Sequence, residues 1–146
     1  MNRRAWDGGS RAYLARLAVC GALSGCDVAG DARDVEAHAG VFYGGQVQRL
    51  AAVDWSSAAP PKIGFRVLFS GSEQRVEHIV RWELTRPGPA GRRVTEIGED
   101  HLPAGRRQFD QVLEFPPSAP LGTINVRVLV DDQLVVDRAL VLRSGA

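Results

Sequence analysis

The residues able to do chemistry are few and scattered. Three histidines, His38, His78 and His101, fall at spacings that pair no two of them as metal ligands or as a catalytic couple. Glu99-Asp100-His101 is the one dense polar cluster, just ahead of Leu102-Pro103, and its oxygens are of the kind that hold a hard cation. Three consecutive side chains do not readily converge on one ion, so the run reads as a solvated turn and no metal is expected. The serines stand without a neighbouring base, and no Gly-x-Ser-x-Gly elbow, P-loop, His-Glu-x-x-His or Gly-x-Gly-x-x-Gly occurs. No catalytic residue is assigned. Two arginine pairs, Arg92-Arg93 and Arg106-Arg107, stand with Arg86 at the ends of apolar runs. If their loops converge they suit a carboxylate or phosphate, because guanidinium presents a planar fork of donors; otherwise they are charges that keep strand edges apart. Trp55, beside Asp54, is either an exposed contact residue or a rim side chain closing a core.

The two cysteines, Cys20 and Cys26, both belong to a segment unlike the rest. Residues 1–25 carry Arg3, Arg4, Arg11 and Arg16, one acid at Asp7, and then the uncharged run Leu17-Ala18-Val19-Cys20-Gly21-Ala22-Leu23. A basic start, a short apolar stretch and small residues make a secretory signal, and the run is well short of the roughly 20 apolar residues a membrane span needs. An alanine-rich core helix is the competing account. Against it, the apolar run is not striped at helical spacing, and Gly21 and Gly25 would each cost about 1 kcal/mol in a helix.

Leu23-Ser24-Gly25-Cys26 resembles the lipobox of bacterial lipoproteins, an aliphatic residue and two small ones before the cysteine that becomes the new N-terminus. The resemblance implies cleavage between Gly25 and Cys26, a diacylglyceryl group on the Cys26 sulfur, and often acylation of the freed amine. Two or more chains hold a membrane stably where one binds only marginally. It implies a location in the bacterial cell envelope, outside the cytoplasm. Asp27 resembles the enterobacterial inner-membrane retention signal, which leaves inner against outer membrane open. Arg3-Arg4 fits the twin-arginine export motif poorly. With Cys20 removed and Cys26 lipidated, no disulfide is available to the folded part.

The elements that must carry the remaining residues come from one domain's worth of chain. The 146 residues are 45% hydrophobic, too apolar for disorder, and leave no room for two large domains. Formal net charge is +1, and four of the 18 basic but only one of the 17 acidic residues lie in the signal, so the remainder is slightly acidic. No general attraction to nucleic acid follows. Residues 26–40, small and polar, read as the lipidated cysteine and a flexible tether able to reach roughly 50 Å.

From residue 41 the texture changes to short Val, Ile, Leu and Phe runs between proline and glycine clusters, predicting seven strands at 46–53, 63–69, 76–85, 92–97, 107–115, 123–130 and 134–142. Period-two alternation puts Ile63, Phe65, Val67 and Phe69 on one face, and likewise Ile124, Val126, Val128 and Val130. On the third strand Val80, Trp82 and Leu84 turn inward with His78 on their side. Asp131-Asp132 reads as a two-residue hairpin. Residues 41–146, with Trp82 on the third strand and Gly122-Thr123-Ile124-Asn125-Val126-Arg127-Val128 on the sixth, resemble the immunoglobulin-like and fibronectin type III-like sandwiches of bacterial envelope proteins. The resemblance implies an all-β, seven-stranded antiparallel sandwich; neither the tyrosine corner nor the disulfide of antibody domains is present. The functional expectation is a non-enzymatic, membrane-anchored module for an envelope protein partner, with no cofactor beyond the Cys26 lipid. The alternative is a sensing domain whose arginine-bearing loops take a sugar, peptide or anionic group.

Overall fold

The computed structural model describes residues 34–115 and 121–145. Residues 1–25, the lipobox Leu23-Ser24-Gly25-Cys26 and Asp27 all lie outside the described residues. Nine strands are described: β1 Val35–Tyr43, β2 Gln46–Gln48, β3 Ala52–Trp55, β4 Ile63–Phe69, β5 His78–Pro87, β6 Arg93–Leu102, β7 Gln108–Val112, β8 Gly122–Val130 and β9 Gln133–Ser144. They form a four-stranded sheet in the order β2-β1-β4-β7 and a five-stranded sheet in the order β3-β9-β8-β5-β6.

A single buried cluster draws on both sheets, which is how two amphipathic sheets hide their apolar faces. Ile63, Phe65, Val67 and Phe69 come from β4, Val80 and Leu84 from β5, Ile124, Val126, Val128 and Val130 from β8, and Val136, Leu140 and Leu142 from β9. The two alternating faces expected on β4 and β8 are therefore the core faces. Trp82 is only half-buried, its indole lying across Gly98 of β6, where a Cβ would run into the ring.

Three expectations about the strand plan and the tether are corrected. The strand count is nine rather than seven, because residues 46–53 divide into β2 and β3 in different sheets, and because 35–43 form a strand. The expected tether thus ends in β1: residues 35–40 pair along β4, with Ala39 opposite Phe65, Ala37 opposite Val67 and Val35 opposite Phe69. Small side chains are what this strand requires, since its neighbour presents bulky ones. The antiparallel expectation also yields at one place, where β3 runs parallel to β9 from Ala52↔Val141 to Trp55↔Ser144.

Glu99-Asp100-His101, expected in a turn, is strand. All three pair with β5, opposite Arg81, Val80 and Ile79 respectively. An edge strand with one wet face tolerates this polarity, and the sequence signal for a loop is misleading there. The Asp131-Asp132 hairpin is present as expected, with both residues at positive φ (50° and 64°) and Val130 paired to Gln133. Aspartate tolerates that conformation better than most side chains, and two consecutive positive φ values match the twist of the strands they join.

Candidate interaction edge and the cleft beside it

Each sheet ends in two strands whose outer backbone groups have no neighbour in the sheet. Three of these edges are short: β2 has three residues, β3 four and β7 five. The fourth is β6, ten residues long, uninterrupted by proline and, among the described residues, paired on one side only, to β5 from His78↔Leu102 to Pro87↔Arg93. A long open edge is a template for another strand unless charge or covering blocks it.

The charges of β6 are largely engaged within its own sheet. On the outer face Arg81 bonds Glu99 and, through its other nitrogen, Asp132, while His101 Nε2 lies 2.9 Å from the second Glu99 oxygen. These partners hold the Glu99 carboxyl below its usual range, the Arg81 bond contributing most and that of His101 next. On the inner face Arg86 donates twice to Glu96 Oε1, at 2.9 and 2.7 Å. Arg127 bridges Glu83 at 3.4 Å and Asp137 at 3.7 Å further along the sheet. Amid this ladder Ile97, opposite Glu83, is 70% exposed.

At one end of β6 a cleft of about 460 Å³ opens, lined by Glu77, Ile79, His101, Leu102, Pro103 and Asp131 around His78. His78 is only 2% exposed. Its Nδ1 lies 2.7 Å from Asp131 Oδ2 and its Nε2 2.6 Å from the Glu73 carbonyl, and the ring stacks on Phe69 at 4.4 Å. A carboxylate and a carbonyl can only accept, so both ring nitrogens must donate, and the site selects the imidazolium. Burial works against that charge; the Asp131 carboxylate and the Glu73 carbonyl outweigh it, and the His78 pKa is raised. Asp131 also accepts from Ile79 N at 2.9 Å, and its own N–H donates to the Ile79 carbonyl at 2.9 Å. The β8–β9 turn is thereby pinned to β5.

The arginines singled out in the sequence do not converge. Arg92 and Arg93 stand where β6 begins and Arg106 and Arg107 beyond where it ends, separated by a strand of ten residues, roughly 30 Å. All four are exposed and make no ion pair with another described residue, whereas Arg86 is engaged by Glu96. None of the five lines the cleft. Trp55 is half-buried, its ring edge-on to Phe115 at 5.8 Å and packed against the core, the position of a rim side chain. The sequence reading missed the β6 edge and the His78 clamp. His78 could be placed on the apolar face by alternation, but its partner Asp131 is 53 residues away in the chain.

The fold resembles that of an immunoglobulin-like protein from Pseudomonas aeruginosa, with a TM-score of 0.54 and 21% identity, over 78% of this chain and 100% of that one. An alkylpurine DNA glycosylase of Pseudomonas fluorescens, solved bound to DNA containing an abasic site analogue, aligns at a TM-score of 0.43 and 15% identity, over 77% of this chain and 31% of that one. No family model matches the chain, and no curated protein does. The class is thus an all-β chain of two sheets with an immunoglobulin-like fold.

Proposed function

We propose that the protein is a lipid-anchored envelope lipoprotein whose sandwich is a non-enzymatic interaction module, docking an envelope protein along the open edge of β6. The observation that carries the interaction half is the ten-residue unpaired edge with exposed Ile97 at its middle. Strand addition to such an edge supplies main-chain hydrogen bonds for affinity and alternate side chains for specificity. The anchor half rests on the lipobox residues Leu23-Ser24-Gly25-Cys26. Because β1 begins at Val35, residues 27–34 span at most about 28 Å, a shorter reach than a fourteen-residue tether gives. A tethered module works at high effective concentration, so each contact can be weak.

The competing reading, a sensing pocket built from Arg86, Arg92 and Arg93, loses support from the geometry: Arg86 is paired, and the cleft contains none of them. A photoreactive residue placed at position 97 of the full chain, in cells, tests the docking edge. The expected result is a covalent product with a second polypeptide. No product at 97, in a chain that folds and exports normally, would overturn the β6 reading.

A further inference from the structure

We infer that the strand received by the β6 edge is β6 of a second copy of this chain, paired antiparallel about a two-fold axis through Ile97. This rests on the reading of β6 as a docking edge and names its occupant. In an antiparallel pair directly opposed residues share a face, so a symmetric pairing must match odd positions with odd and even with even. The registers that retain most of the strand are centred on Ile97 or Gly98. Centring on Gly98 sets Glu96 of each copy against Asp100 of the other, and like charges directly opposite are destabilising. One step the other way, centring on Glu96, opposes the two Glu96 carboxylates.

Centring on Ile97 avoids both clashes. It sets the two Ile97 side chains, each 70% exposed in the single chain, against each other. Thr95 then faces Glu99 and Arg93 faces His101, while inner-face Glu96 faces Gly98, over which the Trp82 ring of the same chain lies. Arg93, which makes no ion pair within its own chain among the described residues, comes diagonal to the other copy's Glu99, close enough for long side chains to interact. Apolar burial at the axis and complementary charge at both flanks thus agree on one register. The two five-stranded sheets would become one ten-stranded sheet.

The test uses full-length chains carrying two different tags, co-expressed and solubilised from membranes. Each tag is expected to co-purify the other. Ile97→Lys brings two ammonium groups together at the axis and should lower co-purification by roughly tenfold or more, while Tyr43→Lys, at a comparably exposed site (72%), should not. Both side chains are exposed, so the thermal midpoint of each variant should stay near that of the parent and report intact folding. A photoreactive residue at position 95 should link to the region of Glu99 in the other copy. Tagged copies that never co-purify, or that co-purify equally well with Ile97→Lys, would overturn the self-pairing. Photo-crosslinks from position 97 to a different polypeptide would also overturn it but leave the docking edge standing; no crosslink to anything would remove both.

Discussion

His78 carries the most distinctive chemistry of any single residue described. Its imidazolium is clamped between Asp131 and the Glu73 carbonyl, with Glu73 Oε2 3.8 Å from Nε2 and with Glu77 and His101 on the cleft wall. A raised folded pKa means the stabilisation is fully present below the unfolded value of about 6.5 and is lost as pH rises through the folded value. The urea midpoint should therefore fall between pH 6 and alkaline pH, and His78→Phe should flatten that part of the profile; an unchanged slope in the variant would assign the dependence elsewhere. Asp131→Ala leaves Ile79 N and the imidazolium without their acceptor, with a cost of about 1–3 kcal/mol, read by the same denaturation. Arg66 and Asp110 form another well-made pair, fork to fork at 2.7 and 2.8 Å, and Asp110 is held below the usual carboxylate range chiefly by the Arg66 bond. That contribution is present at neutral pH and is lost as pH falls through the lowered folded value; since both groups are partly exposed, it is worth about 1 kcal/mol or less. Alternation along β5 was enough to put His78 on the apolar face. Nothing local could show the clamp, because its members meet only through the β8–β9 turn.

Among the elements, β4 and β8 were fully legible, since four large apolar residues at period two leave no other face to bury. β1 was not, because Ala37, Ala39 and Gly40 look like a linker until Phe65, Val67 and Phe69 are seen beside them. A substitution separates the two readings. Ala39 is fully buried, so Ala39→Leu overpacks the core at a cost of about 1–3 kcal/mol, whereas in a tether it would leave the thermal midpoint untouched. β6 was half legible: its second half, Gly98-Glu99-Asp100-His101, has a loop's composition and a strand's pairing. Gly98 is there because the Trp82 indole occupies the space above it, and Gly98→Val should displace that ring, lower the thermal midpoint and shift tryptophan emission. Emission and midpoint both unchanged would mean that the ring does not depend on the glycine.

For the molecule as a whole, the ends of the strands set an orientation. β1 enters beside the Ser70 loop, where Ser70 N donates to the Asp34 carbonyl at 2.7 Å, and the same end holds the His78 cleft, the Asp131-Asp132 turn and the loop bearing Arg106 and Arg107. An anchor at Cys26 would hold this end within reach of the membrane. In the antiparallel pair the anchored ends of the two copies lie at opposite ends of β6, so both anchors reach one membrane only with β6 lying along its surface, where confinement to the membrane strengthens a weak contact. The immunoglobulin-like architecture itself does not assign a task; the proposed role rests on the lipobox resemblance and on the open edge of β6. The most direct test is acyl-chain labelling with membrane fractionation of the full chain beside Cys26→Ala. Label and membrane retention present in the parent and lost together in the variant are the predicted result. A parent chain that is unlabelled, soluble and still carries residues 1–25 would contradict it.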